Sequence, residues 1–421
     1  MMKHGLRLLA VLAVTVSSHA VIAAEPSPAA IVETYADIAL AGYEDSLATA
    51  TDLMTAITAL GENPSEETLK AAREAWKAAR IPYQQTEAFR FGNPVVDAWE
   101  GKVNAWPLDE GLIDYVDASY GTESDENGLY TANVIANEVI TIDGKEVDAT
   151  DLVPQFLSQV LQEAGGVEAN VATGYHAIEF LLWGQDLNGT GPGAGNRPYT
   201  DFDMANCTNG HCDRRLAYLS SAAEVLYVNL QQMVSAWRED GEARKAAQDG
   251  GVAAILTGMG SLSFGEVAGE RMKLGLLLHD PEEEHDCFSD NTHMSHLYDA
   301  VGIRNVYLGK YTRIDGSVVS GPSVSELIAV KDAALDTEIK ALLDDTVGEM
   351  EAMKQRAETI EAYDQMIGEG NTEGNAVVQA AIDGLIAQTR GIERAVALLQ
   401  LGGAVTIEQS DSLVNPDAVF Q

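Results

Sequence analysis

The sequence predicts an all-α protein of two helical-bundle domains, with one small β-hairpin as an excursion from the helical fold. Only 8 Phe and 5 Trp occur among 421 residues, whereas Ala, Leu and Glu are abundant. This composition favours helices over a β-sandwich. The chain is also too long for one small hydrophobic core, which predicts two domains.

The first 24 residues have the composition of a secretory signal peptide. Lys3 and Arg7 make a basic start, an apolar run covers residues 8–16, and small residues before Glu25 offer a cleavage site. The run is too short for a stable membrane span, and no later stretch is apolar for long enough to cross a bilayer. We therefore expect a soluble, exported protein without a membrane span, most simply in a periplasm.

Helical periodicity begins directly after this leader. Residues 29–59 carry one helix, and Ser65 opens a second one that runs to about residue 89. Trp76 and Tyr83 are spaced to share one face of this second helix. That face is expected to be buried.

The next segment is more varied. Trp106-Pro107 is typical of a helix entry, because proline is favoured in a first turn. Residues 140–147 alternate in polarity around Asp143-Gly144, which predicts the small β-hairpin. Another helix is predicted over residues 151–164, where Gly165-Gly166 would end it.

A loop rich in Gly and Pro, residues 188–198, separates the two predicted domains. Residues 25–195 are assigned to an N-terminal helical bundle, and residues 196–421 to a C-terminal one. The C-terminal half has the same helical style and a second loop at residues 314–325. The helices predicted there cover residues 214–238, 251–278 and 324–401, the last with a break at 368–371.

The charge is strongly acidic, with 26 basic against 65 acidic residues and a net charge of −39. Nucleic acid is excluded as a partner, because phosphate binding needs clustered Lys and Arg. Anionic membrane surfaces are disfavoured for the same reason. An acidic surface raises the local concentration of cations and keeps a protein soluble.

Residues 174–186 carry the most informative motif, Gly174-x-His176-x-x-Glu179. On a helix, residues at i and i+3 share one face, so an imidazole and a carboxylate can approach one cation. Apolar flanks predict burial, and a buried glutamate needs a partner. A metal ion is one such partner. The other interpretation is a core histidine satisfied by its neighbouring glutamate.

The spacing is unlike that of familiar metal enzymes. No H-E-x-x-H motif is present, and an H-x-x-E-H motif would need histidine where the chain has Phe180. Ferritin-like sites use the opposite order, Glu-x-x-His. The motif therefore does not predict a protease site of a familiar kind.

The three cysteines leave their pairing open. Cys207 and Cys212 are close enough to form a disulfide, which an exported chain permits. Cys287 is then free, unless it is the true partner of either. Zinc binding by the three cysteines and His211 is the other option, although its spacing matches no familiar zinc finger.

Several segments together resemble the imelysin family over roughly residues 30 to 400. The motif at 174–186 is the most specific of them. The others are the run Trp76, Arg80, Tyr83, Glu87, Arg90 and the segments 106–109, 269–272 and 286–293. The last two are most similar to the iron-regulated protein A branch. The same family includes an insulin-cleaving metalloproteinase of the outer membrane.

The resemblance implies two helical bundles with a site at their interface, built around His176 and Glu179. It also implies export to the bacterial envelope, either periplasmic or associated with the outer membrane, and a link to iron acquisition. We therefore expect binding of iron, or of another cation such as zinc, as a metal ion or a small iron chelate. Envelope iron-transport proteins are the expected protein partners.

Two ligands rarely suffice for iron, so other helices must contribute. The candidate metal ligands are Glu87 in the early helix, Glu266 and Glu270 from the second domain, and Asp186 at the end of the motif. Arg80, Arg90 and Arg271 are candidates for holding an anionic chelator.

A rival metal site is the acidic run at residues 282–286, which includes His285, followed by His293 and His296. Two other functions remain open. One is a zinc-dependent peptidase of the imelysin type, in which Glu179 either ligates the metal or acts as base. The other is a scaffold protein in which the His–Glu pair is structural.

Overall fold

The computed structural model describes residues 25–420, and the predicted signal peptide lies outside the described residues. The fold is all-α, as predicted, with two small two-stranded sheets in the described part. The helices are α1 Pro28–Glu62, α2 Glu66–Gln84, α3 Pro94–Glu100, α4 Pro154–Phe156, α5 Gly174–Trp183, α6 Cys212–Trp237, α7 Glu242–Ser261, α8 Leu274–Leu278, α9 Thr292–Leu308, α10 Val324–Lys331, α11 Ala333–Thr359, α12 Tyr363–Ile367, α13 Thr372–Leu398 and α14 Asp411–Val414. The strands are β1 Val139–Ile142, β2 Lys145–Asp148, β3 Lys310–Thr312 and β4 Val318–Ser320.

Helices α1 and α2 begin where their capping residues predict. Pro28 follows the N-cap Ser27, and Ser65 forms a reciprocal capping box with Thr68 at the start of α2. The face of α2 that carries Trp76 and Tyr83 is buried, in agreement with the sequence pattern.

Helix α1 packs against α2 and also against α6 and α7 from the C-terminal half. One continuous cluster of buried apolar side chains extends from Ile31 to Val396. Both halves of the chain therefore contribute to the same core. The division into domains at residues 195 and 196 stays a prediction.

The predicted β-hairpin is present. Strands β1 and β2 pair antiparallel, with Ile142 opposite Lys145. Asp143 has φ 52° and Gly144 φ 75°. Two consecutive positive φ angles are what a tight two-residue hairpin turn needs, and the Asp-Gly pair supplies them at low cost.

Two local predictions differ from the structure. Residues 314–325, expected to be a loop, include β4, which pairs with β3 in a second hairpin. The helix expected after Trp106-Pro107 is absent; that peptide bond is cis, and only a 3-10 turn follows, at Glu110–Leu112. Polar composition and the lone proline were misleading because tertiary contacts decide these segments.

The helical region that follows α6 is irregular. Gly251 interrupts α7 with φ 62°, and a π-helical stretch, Leu262–Lys273, joins α7 to α8. Within residues 25–420, one stretch, Glu242–Leu278, is long and apolar enough to cross a membrane by composition. Its most apolar window is 72% buried inside the fold, as in a core helix.

Candidate metal centre

Helix α5 places the motif in the centre of the molecule, and all ten of its residues are buried. Gly174 opens the helix with φ 88°, and a Cβ there would clash with the carbonyl oxygen of Val103. Tyr175 donates its backbone N–H to that same oxygen. Glycine is therefore required at the start of the motif, by both conformation and space.

His176 and Glu179 contact each other directly. Nδ1 of His176 lies 3.1 Å from Oε2 of Glu179. The other carboxylate oxygen of Glu179 accepts the backbone N–H of Ser289 at 3.0 Å and its hydroxyl at 2.6 Å. An Nδ1–H that donates to Glu179 leaves the lone pair of Nε2 free, and this buried nitrogen has no hydrogen-bond partner.

The segment before α9 supplies two more groups next to His176. Ligand atoms of His176, His285 and Asp286 all lie within 4.8 Å of one another. We call these three residues the metal centre. The two imidazole rings meet edge to face, with centroids 4.8 Å apart. The centre therefore joins the predicted motif to part of the rival acidic segment, which the sequence had suggested as a separate site.

Arg80 on α2 contacts two of the three residues of the metal centre. Its guanidinium donates to Oδ1 of Asp286 at 2.8 Å and to Nδ1 of His285 at 3.2 Å. The same group lies over the ring of Tyr175, 5.0 Å from its centroid. Asp286 also accepts from Asn291 and Ser295. Arg80 is thus a predicted site residue that the structure brings to the centre.

Burial and nearby charges shift the pKa values of the three side chains in the metal centre. Burial lowers the pKa of His176 to about 3, assisted by Arg80, and lowers the pKa of His285 well below its ordinary value. Burial alone would raise the pKa of Asp286, but Arg80 and the hydrogen bonds to this carboxylate lower it to about 2. At neutral pH the centre therefore holds two neutral imidazoles and one carboxylate, the forms that bind metals, and a metal at Nδ1 of His285 would replace the hydrogen bond from Arg80.

Burial, together with Asp286, raises the pKa of Glu179 well above its ordinary value. This carboxyl group contacts Nδ1 of His176 and so orients the ring. Glu179 is not part of the metal centre as defined by distance. Its predicted role as a direct ligand stays a prediction.

A separate buried network of ion pairs has Arg271 at its centre. It contains four of the predicted site residues: Glu87, Arg90, Glu266 and Arg271 itself. The guanidinium of Arg271 pairs with Glu87 at 2.9 Å and with Glu266 at 2.6 Å. Arg90 lies 3.5 Å from Glu266. Asp299 completes the network at 3.3 Å from Arg271. The structure thus places Glu87 and Glu266 as ion-pair partners of arginines.

The remaining predicted ligands lie elsewhere. Glu270 is exposed on the π-helical stretch. Asp186 lies beyond the end of α5 and lines a pocket with Glu110 and Glu282. Of the histidines in the rival segment, His296 is buried against the ring of Tyr363, outside the metal centre.

Cys207 and Cys212 form a disulfide, and Cys287 is free. This is the pairing of the two cysteines nearest in sequence. The zinc site of three cysteines and His211 would need both sulfurs as thiolates. Sulfurs in a disulfide do not act as thiolate ligands.

The donor set of the metal centre fits a metal ion. Two imidazole nitrogens and one carboxylate are the protein ligands of many iron(II) and catalytic zinc sites, which keep other positions open. The partnerless Nε2 of His176 is an additional sign, because buried polar atoms normally have a partner. The fold and this centre define an all-α protein with a buried histidine–carboxylate cluster.

The imelysin family model matches residues 39–392, so the chain belongs to the imelysin family.

Two relatives give more detail. Iron-regulated protein A of Synechococcus elongatus is 36% identical over 76 residues, which cover 18% of this chain and 21% of that protein. The matched part thus spans about a fifth of this curated relative. The second is a crystal structure from Parabacteroides distasonis of a protein assigned as an iron-regulated protein A precursor, with a TM-score of 0.63 and 18% identity. It covers 89% of this chain and 96% of its own, and at this identity it shows the fold alone.

Proposed function

We propose that this imelysin-family protein binds iron at the metal centre and serves its uptake or handling in the cell envelope. The convergence of His176, His285 and Asp286 within 4.8 Å carries this proposal. The low pKa values of these groups support it, since metal ions compete with few protons for them. The name of the Synechococcus relative, iron-regulated protein A, favours iron over zinc.

Export is part of the same proposal. The basic and apolar character of residues 1–24 supports a periplasmic or outer-membrane-associated location. A disulfide between Cys207 and Cys212 agrees with an oxidising compartment. Envelope iron-transport proteins are the proposed partners.

Substitution of the histidines tests the metal centre. We expect His176→Ala and His285→Ala each to lower affinity for iron(II) at least ~10-fold, because each removes a direct ligand. Anaerobic calorimetric titration measures the affinity, with zinc(II) titrated in parallel. His211→Asn is the control, because His211 is exposed in a loop. Equal affinity in all four proteins would overturn the proposal.

The alternative function is a zinc peptidase, which needs a base that reaches a metal-bound water. Glu179 has 0% of its surface exposed, and both its oxygens are engaged by Ser289 and His176. A carboxylate held in this way is poorly placed to act on a peptide. We therefore expect no cleavage of casein or insulin. Chelator-sensitive cleavage that Glu179→Gln abolishes would establish the peptidase instead.

A further inference from the structure

A second group of acidic side chains includes Glu282 and Glu284, which are close in the chain to His285 and Asp286. Carboxylates from four parts of the chain line a small cavity of about 10 Å³. We call this the acidic pocket, defined by Glu110, Asp186, Glu282, Glu284 and Asp364. Glu110, Asp186 and Glu282 also line a neighbouring cleft of about 520 Å³, which has Trp106 and Tyr120 in its wall.

Glu284 is the most constrained member of the acidic pocket. It is 1% exposed, and one oxygen accepts the hydroxyl of Thr292 at 2.8 Å. Its other oxygen, Oε1, is buried and has no hydrogen-bond partner. A buried carboxylate oxygen without a partner is costly, so a donor or a cation is the expected occupant beside it.

Neighbouring acidic side chains increase the free-energy cost of leaving this carboxylate oxygen unpaired. Asp364 is 2% exposed and faces the same cavity. The charged groups that act on Glu284 include Asp364, Asp290 and Asp186, all of them carboxylates. Like charges held together in a buried site favour a bound cation, which would neutralise them.

The size and chemistry of the acidic pocket select the class of cation. Only about 10 Å³ is open to the centre of a water-sized sphere, which suits a single small ion. The charged donors are all carboxylates, and such oxygen donors are preferred by hard cations. Magnesium keeps several of its waters and is seldom held by a cage of protein ligands, whereas calcium accepts 6–8 oxygens in flexible geometry.

We propose that the acidic pocket binds one calcium ion, reached through the neighbouring cleft. This site is separate from the metal centre. Glu284 and His285 are adjacent in the chain, but Glu284 faces Asp364 whereas His285 faces His176. Calcium there would tie the 282–288 segment to α12 and to the turn at Glu110–Leu112.

Calorimetric titration of the whole chain with calcium chloride tests this site. We expect one calcium ion per chain, and a loss of affinity of at least ~10-fold in Glu284→Gln and in Asp364→Asn. Glu284→Gln keeps an oxygen for Thr292, so its fold should persist. Glu283→Gln is the matched control, because Glu283 is the neighbouring residue and does not line the pocket.

Thermal unfolding gives a second readout that does not depend on heats of binding. Calcium should raise the Tm of the wild-type chain, of Glu283→Gln and of His176→Ala, but not of Glu284→Gln. Absence of calcium binding by the wild-type chain at millimolar concentration would overturn the proposal and indicate that the carboxylates hold protons instead. Loss of calcium binding in His176→Ala, with Glu284→Gln unaffected, would overturn it in favour of the metal centre.

Discussion

Nδ1 of His176 lies 3.1 Å from Oε2 of Glu179, one helical turn away, and Nε2 of the same buried ring has no hydrogen-bond partner. The two residues of the motif therefore have different tasks in the proposed site. In the proposed function the histidine would bind the metal, and the glutamate would hold the ring in the required orientation and tautomer.

The first prediction concerns this positioning role. Glu179→Gln should lower affinity for iron(II) by about 10-fold, less than the loss of a direct ligand causes, because the amide oxygen can still accept from Nδ1–H of His176 but its second group cannot accept from Ser289, so the ring is held less firmly. Glu179→Ala should lower it further. Calorimetric titration of both variants and of His176→Ala with iron(II) measures how the three affinities rank. If Glu179→Gln abolishes binding completely, as a lost ligand would, Glu179 belongs in the first coordination shell.

The second prediction concerns Arg80. This buried guanidinium donates to Asp286 and His285, two groups of the proposed centre. Arg80→Met should destabilise the metal-free protein by ~3–5 kcal/mol, because Asp286 loses its cationic partner. Iron(II) would then supply the missing charge, so the rise in Tm on adding metal should be larger in Arg80→Met than in the wild-type chain.

Differential scanning calorimetry with and without iron(II) measures both effects. Arg90→Met is the matched control, since Arg90 is a half-buried arginine of the Arg271 network. A smaller rise in Tm for Arg80→Met would contradict this prediction and would indicate that Arg80 helps to hold the ligand, as an anionic chelate would require.

Much of the helical framework could be predicted from the sequence, because it depends on local signals. Ser65, the Asp143-Gly144 turn and the apolar flanks of His176 each act over a few residues. Burial of the motif followed from the same periodicity. Gly174 was recognised only as part of the motif, and its contact with Val103 explains it.

The composition of the site could not be predicted in this way. Periodicity shows that one face of α5 is buried, but it does not show which distant segment covers that face. His285 and Asp286 were seen as part of a polar, acidic segment, where solvation is the usual expectation. Glu87 and Glu266 were predicted as ligands from the sequence, which could not show that both pair with Arg271. Pairings of this kind depend on tertiary contacts between residues far apart in the chain.

The third prediction separates structural carboxylates from ligands. Glu87 is 2% exposed and pairs with Arg271. Glu87→Gln should destabilise the fold by ~1–3 kcal/mol, because it removes a charge-assisted hydrogen bond. Its affinity for iron(II) should stay within about twofold of the wild-type value. Glu270→Gln, on the exposed face of the π-helical stretch, should change neither quantity. A tenfold loss of affinity in either variant would restore that residue as a ligand.

The last prediction concerns the pH dependence of stability. Burial raises the pKa of Glu110 to about 8, with a further contribution from the charge of Glu282. The ordinary value of this group is 4.5, so between these two pH values the folded chain keeps a proton that the unfolded chain has released. Its contribution to stability therefore decreases as pH rises from about 4.5 to about 8 and reaches its minimum above that window.

Glu110→Gln removes this titration and keeps an oxygen that can accept from Gln185. With chelator present, the variant should match the wild-type chain near pH 4.5 and exceed its free energy of unfolding by about 2 kcal/mol or more at pH 9. Urea denaturation at a series of pH values measures the difference. Glu123→Gln, at an exposed position, should follow the wild-type curve throughout. A difference between Glu110→Gln and the wild-type chain that does not grow with pH would show that Glu110 ionises normally in the folded protein, and the buried acidic environment described for it would then be wrong.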